Sequence, residues 1–262
     1  MANLLKHIRQ SLLSGKGIGN SATSTNKYLK YAFGEIVLVV IGILIALQIN
    51  NWNENRKERI QEKIYLKRFE VELNTDNENI LNSISVNKSR ILRAKFLLRA
   101  IENPQLAEDS SSYLIKSIEH AGYTFMPIIS DNAFEELKSS GNLSLISNED
   151  LRVALQKYYS WTSKIGQWNF LQQDVQLTYT HIKQGILTAS QIIDLGNYDK
   201  DKHYNAVEGK KAFQHMMDNP KFLEFLPYVI QNKIDTEINY NDVYNQAKAL
   251  KTMLKKELDK QK

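Results

Sequence analysis

The chain has 262 residues, 42% of them hydrophobic and 24% charged, with 11 Gly, 4 Pro and no Cys, which is neither a disordered nor a collagen-like composition. Without Cys there can be no structural disulfide, thiolate metal site, iron–sulfur cluster, Cys nucleophile or lipobox anchor. The net charge of +5 lies wholly in residues 1–30, which carry Lys6, Arg9, Lys16, Lys27 and Lys30 and no Asp or Glu, while the remainder balances 29 basic against 29 acidic residues; a nucleic-acid binder instead spreads basic side chains over a folded face, so no nucleic-acid partner is expected.

Met1, Leu4, Leu5, Ile8 and Leu12 fall on one helical face, with Lys6, Arg9 and Gln10 off it. That pattern suits an interfacial helix lying on anionic lipid; a frayed basic leader is the plainer reading. Gly15, Gly17 and Gly19 stand among Ser, Thr and Asn and make a flexible joint up to Asn26. Their G-x-G-x-G spacing is no phosphate loop, because no strand precedes it. Residues 1–27 therefore read as a basic amphipathic arm and joint.

Residues 36–47 (IVLVVIGILIAL) carry no polar side chain. A run that short also fits a buried helix or a signal-peptide core, but from 28 to 49 only Lys30, Glu35 and Gln48 interrupt the apolar character. Such a helix is about 33 Å long at ~1.5 Å per residue, against a bilayer core of about 30 Å. Its Ile, Val and Leu side chains contribute about −5 kcal/mol to insertion, which outweighs the reduced penalty of Glu35 near one end. Tyr28, Tyr31, Phe33 and Trp52 match interfacial aromatic anchors. No small-x-small site follows Leu47, so an uncleaved anchor is expected over 28–52, in the inner membrane. The short basic arm predicts a cytoplasmic N-terminus and a periplasmic large domain, although Arg56, Lys57, Arg59, Lys63, Lys67 and Arg68 follow the span.

Within the span, Tyr31, Glu35, Gly42, Ala46 and Ile49 share one stripe. Gly42-x-x-x-Ala46 lets two backbones approach closely, so the stripe reads either as a homo-oligomer contact with Glu35 as its polar element, or as chance.

Neither Gly nor Pro occurs from 43 to 103, so the helix can leave the bilayer unbroken until Pro104. Leu66, Phe69, Leu73, Ile80, Ile84, Ile91, Ala94, Leu98 and Ile101 form an amphipathic stripe, with the Asn/Asp-rich stretch 74–79 the one place for a bend. Short helices are expected at 110–122 and 131–139, separated by a loop with Pro127 and closed by Ser140-Gly141-Asn142. Ser147-x-x-Asp150 reads as a capping box opening a long helix over 148–187. Residues 194–209 read as a polar loop. Asn219-Pro220 starts a short turn, Pro227 kinks it, and a third long helix covers 228–262. Strand signals are sparse. The expected fold is all-α: a single N-terminal transmembrane helix continuing into an antiparallel helical bundle over 53–262, with long helices and short connecting ones. If the last helix returns antiparallel to the first, Lys251, Lys255, Lys256, Lys260 and Lys262 end near the bilayer; a solvated tail is the plainer reading.

Chemistry is hard to find. His7, His120, His181, His203 and His215 show no metal spacing, and there is no G-x-S-x-G, phosphate loop or dinucleotide fingerprint. Neither a catalytic residue, nor a metal, nor a cofactor is expected, and the chain reads as no enzyme. The densest cluster is Tyr158, Tyr159, Trp161, Trp168 and Tyr179, with Phe125 and Phe134 as neighbours. Tyr158, Trp161, Ile165 and Trp168 share a helical face and read as core, or else as an aromatic ligand pocket of Tyr159, Trp161 and Trp168. Tyr159 lies off that face and is the better candidate for a ligand or partner contact.

The stretch KYLKYAFGEI at 27–36, continued by IGILIALQINNWNE at 41–54, together with Ile8-Arg9-Gln10, FEEL at 134–137 and GNL at 141–143, resembles a family of uncharacterised single-span membrane proteins common in flavobacteria and their relatives. The resemblance implies a membrane anchor, a helical domain and no assigned activity. The expected role is a membrane-anchored, non-enzymatic binding or scaffold module whose partners are the lipid bilayer, a second copy through the span, and a protein. The alternative is the ligand-sensing input domain of a transmembrane signalling complex.

Overall fold

The computed structural model describes residues 21–196 and 202–261. The lipid-lying face of the arm falls outside them, as does the Gly15/Gly17/Gly19 part of the joint; residues 21–26, expected to be flexible, are helical. Every described element is helical, as expected. In chain order these are α1 (Ser21–Glu102), α2 (Leu106–Asp109), α3 (Ser111–His120), α4 (Asn132–Ser139), a single 3-10 turn (Leu143–Leu145), α5 (Glu149–Ile182), α6 (Ala189–Gly196), α7 (Ala206–Met217) and α8 (Pro220–Lys260).

The chain divides into two units, Met1–Arg59 and Ile60–Lys262. In the first, α1 carries its apolar side chains in the open: Ile36, Leu44 and Ile49 are 61%, 58% and 60% exposed. It is a helix long and apolar enough to cross a membrane.

In the second, three long helices form the frame. Asn87 Nδ2 donates to the Lys233 carbonyl at 2.8 Å and Lys63 Nζ to the Gln261 carbonyl at 2.8 Å, so α8 runs antiparallel to α1. Glu62 meets Ser147 just before α5, and Asp76 meets Tyr158 within it, so α5 runs parallel to α1. The Asn148 to Glu257 bond sets α5 and α8 antiparallel. On α1 the buried positions Glu62, Leu66, Phe69, Leu73, Asp76, Ile80, Ser83 and Asn87 alternate steps of four and three; on α8 Lys233, Thr236, Tyr240, Val243, Ala247, Leu250, Leu254 and Glu257 do the same. That is the knobs-into-holes period of a coiled coil. Stretch 74–79 does not interrupt α1, because Asp76 is itself a buried seam residue.

Four local expectations need correction. The seam rotates past Ala94, so Leu97 and Ala100 are fully buried while Leu98 and Ile101 are half-buried. The cap of α5 is Asn148, whose side chain accepts from the Leu151 N–H, because Ser147 is taken by Glu62. Helix α5 ends at Ile182, followed by a turn in which Gly185 adopts φ 85°. Pro227 lies inside α8 and does not break it. Asn219 caps that helix at Pro220, and burial of Phe222, Leu226 and Val229 offsets a cost of about 3 kcal/mol for the lost hydrogen bond.

Two helices were not expected. α6 and α7 reach into the two ends of the supposed polar loop, and α7 opens with a reciprocal capping box, Asn205 with Glu208. α7 crosses α2 and α3 so closely that a Cβ on Gly209 would overlap the Ala107 carbonyl oxygen and the Ser111 hydroxyl. Gly209→Ala is therefore expected to cost about 2–3 kcal/mol in a denaturant titration, since a backbone carbonyl cannot move aside.

Candidate functional site

The bundle has two apolar cores. One gathers Leu66 to Ile84 of α1, Phe134, Tyr158 and the half of α8 beyond Tyr240; the other gathers Ala94 to Ala100, α3, Tyr179 and Phe222 to Ile230. Between them lies a polar layer. Lys233 is fully buried, and its ammonium donates to Thr124 Oγ1. The Thr124 N–H donates to Gln176 Oε1 at 2.8 Å, and Thr236 donates to the Asn232 carbonyl at 2.7 Å. Gln172 is fully buried with neither amide atom hydrogen-bonded, and the α5–α8 pairings at Asn148–Glu257 and Tyr179–Phe222 bring it within about one helical turn of Lys233. Burial, then the charge of Arg90, pushes the Lys233 ammonium down to about 7.

On the side of the second core, Lys183 pairs with Glu119 at 2.5 Å, and the Tyr123 hydroxyl donates to the same carboxylate at 2.7 Å. Burial and the charges of Arg90, Arg93 and Lys183 hold His120 down at about 4, so its imidazole is neutral.

On the side of the first core the charge is negative. Asp76 is fully buried and accepts from the Ser130 N–H at 2.9 Å and from the Tyr158 hydroxyl at 3.1 Å. Burial pushes its carboxyl up to about 6 in spite of those bonds. Between its ordinary value near 4 and 6 the folded state holds the proton that the unfolded chain has lost, so this group makes stability fall as pH rises through that window. Asp76→Asn is expected to flatten the fall and to stabilise the protein at pH 8 by about 1–3 kcal/mol, measured by thermal unfolding from pH 4 to 8.

Tyr159 is not the exposed contact its position off the helical stripe suggested. It is 4% exposed and stacks on Phe134 with centroids 4.6 Å apart, because α4 folds over that side of α5. Its ring lines a cleft of about 640 Å³ shared with Asp131, Glu135, Lys138, Gln156 and Ser160. Trp161 is half-buried against the first core, and Trp168 is half-buried with its indole Nε1 enclosed and unbonded. Tyr179 belongs to the second core and Phe125 is 49% exposed, so the aromatic residues do not converge on one pocket. Glu35 and Ala46 are exposed on α1, and a Cβ on Gly42 would meet open space. Lys251, Lys255 and Lys256 are exposed, Lys260 pairs with Glu257 at 2.9 Å, and Lys262 is outside the described residues. The polar layer itself was missed; Lys233 and Gln172 at seam positions of otherwise apolar heptads were the available signal.

These features define an all-helical protein in which a bare apolar helix shares its chain with a bundle split by a polar layer. The chain belongs to the family of unknown function DUF6090, whose model matches residues 35–202. The match takes in Glu35 and the apolar run and ends before α7. No curated protein and no solved structure matches the chain.

Proposed function

We propose that α1 anchors the protein in the inner membrane through residues 28–52, and that residues 53–262 serve outside it as a non-enzymatic binding or scaffold module. The carrying observation is the apolar run at 36–47, every residue of which is exposed. Leaving such a surface in water costs about 25 cal/mol per Å², and a bilayer removes that cost. Trp52 at 67% and Phe33 at 70% exposure suit the interfaces at either end, and the acid-free basic arm favours a cytoplasmic N-terminus. Full-length protein should stay with vesicles in alkaline carbonate, and Ile41→Arg combined with Leu44→Arg should release it. Release of the unaltered protein would overturn the reading. A protease added to spheroplasts should degrade the bundle; protection would reverse the orientation.

A second copy is the proposed partner within the membrane, through Glu35, Gly42 and Ala46. The open space around Gly42 suits a close helix pair, and Gly42→Ile should weaken self-association in a membrane two-hybrid assay. The polar layer favours one further reading, a ligand-sensing input domain. A buried ammonium held by a single hydroxyl is costly, and a ligand or proton that relieves it can shift the packing of α1 against α8. Partner capture that depends on an added solute would separate this from a static scaffold.

A further inference from the structure

Two short periodic runs wall the cleft that Tyr159 lines. Asp131, Glu135 and Lys138 recur at steps of four and three at the start and along one face of α4; Gln156, Ser160 and Ser163 do the same on α5. These side chains are exposed, whereas Phe134 and Tyr159, 6% and 4% exposed, line the same space from its inner end. Half-buried Ile129 and Leu143 complete an apolar end beneath a polar mouth. Gln156, Ser160 and Ser163 make no side-chain bond to another described residue, so their polar atoms are open to a ligand.

Positive charge is what this cleft lacks. Lys138 is engaged by Glu135 at 3.0 Å, and Arg68 of α1 by Glu136 at 2.8 Å. Asp131 stands at the N-cap position of α4 but makes no capping bond, and no cation among the described residues pairs with it. Glu72 spends one carboxylate oxygen on the Ala133 N–H at 3.2 Å, while its Oε2 is enclosed and unbonded. The hydroxyl of Tyr159 is likewise unbonded. Burial pushes both groups up and the charge of Asp131 adds to each, so the carboxylate at the mouth and the oxygens beneath it share one negative field. A cleft with low-dielectric walls focuses such a field on whatever enters it.

We propose that this cleft between α4 and α5 binds an organic cation, an ammonium or guanidinium group on a short carbon stem. The Asp131 carboxylate takes the charge, Gln156 and Ser160 accept the remaining hydrogen bonds, and Ile129, Leu143 and the Phe134–Tyr159 pair cover the stem. The volume of about 640 Å³ falls within the range of small-molecule sites, roughly 300–1,000 Å³. A bare divalent ion would need about six oxygens around it, and Asp131 is one free carboxylate. The proposal rests on the reading of residues 53–262 as a binding module and adds the ligand class. Its failure leaves carbonate extraction and partner capture as they are, so the two readings fail separately.

The test is a ligand-observed magnetic resonance titration of the detergent-solubilised full-length protein at pH 7.5. Agmatine, the doubly capped amino acid N-acetyl-lysine methylamide and n-butanol serve as separate probes. Saturable binding of at least one cation, with n-butanol silent, is expected. Tighter binding of agmatine assigns the site to a free amine, and tighter binding of the capped lysine to a basic side chain of another protein; both support the site. Asp131→Asn keeps the shape and should weaken cation binding at least fivefold. Ser160→Trp, at an exposed helical position where the two residues have similar helix propensity, should fill the cleft and abolish it. Glu224→Gln removes one exposed charge from α8, outside the cleft lining, and should change nothing. Circular dichroism first shows that each variant keeps its helix content. No cation binding above the n-butanol arm, unchanged binding by Ser160→Trp, or equal weakening by Asp131→Asn and Glu224→Gln would overturn the site.

Discussion

Replacing Lys233 by Met is expected to stabilise the protein by about 2–3 kcal/mol at pH 7, an unusual result for a fully buried seam position. The folded protein holds the ammonium at about 7 instead of 10.5, which corresponds to about 5 kcal/mol of penalty on the charged form at ~1.4 kcal/mol per tenfold change in proton affinity. Loss of the bond to Thr124 returns about 2 kcal/mol of that. Met fills a similar volume without a polar atom. The pH dependence fixes the cause. Between 7 and 10.5 the unfolded chain holds a proton that the folded protein has released, so the unaltered protein gains stability as pH rises through this window. The advantage of Met is therefore largest at and below pH 7 and fades toward pH 10. Urea titrations at pH 6, 7, 9 and 10 measure it; a variant less stable than the unaltered protein at pH 7 would show that the ammonium is better compensated than its single hydroxyl partner implies.

The second large effect has the opposite sign. Glu62 is fully buried and accepts from the Ser147 N–H at 2.6 Å, the Ser147 hydroxyl at 2.7 Å and Gln261 Nε2 at 3.1 Å. One carboxylate thus ties α1 to the start of α5 and to the end of α8. Glu62→Ala strands the Ser147 donors in a buried place and opens a cavity, and is expected to cost about 3–4 kcal/mol. Glu62→Gln keeps an acceptor of the same length and should recover more than half. Hydrogen exchange should quicken at Leu151 and Leu258 before the rest of the bundle, because this tie closes only one end of it. A loss below 1 kcal/mol would show that coiled-coil packing alone holds these termini.

Where the chain becomes helical was largely readable from local chemistry. The Gly- and Pro-free stretch at 43–103, the cap at Asn219-Pro220 and the stop at Ser140-Gly141-Asn142, with Gly141 at φ 73°, all act within one or two turns of themselves. Even the overlooked α7 announced its start, in the Asn205-x-x-Glu208 box. Pro227 misled because its cost is local while the burial that overrides it lies in the second core.

The character of the buried site was not readable in the same way. Lys233, Gln172 and Glu62 are ordinary polar residues until α5 and α8 close around them. Tyr159 left the surface only because α4, residues 132–139 in the chain, folds across α5. A helix's period tells which of its own residues share a face, and so the sequence by itself determined one exposed apolar helix, three long amphipathic ones and the cap at Asn219. Which faces meet, and at what register, depends on pairings more than a hundred residues apart, such as Asn87 with the carbonyl of Lys233. Those pairings alone decided that a charged layer lies between two apolar cores.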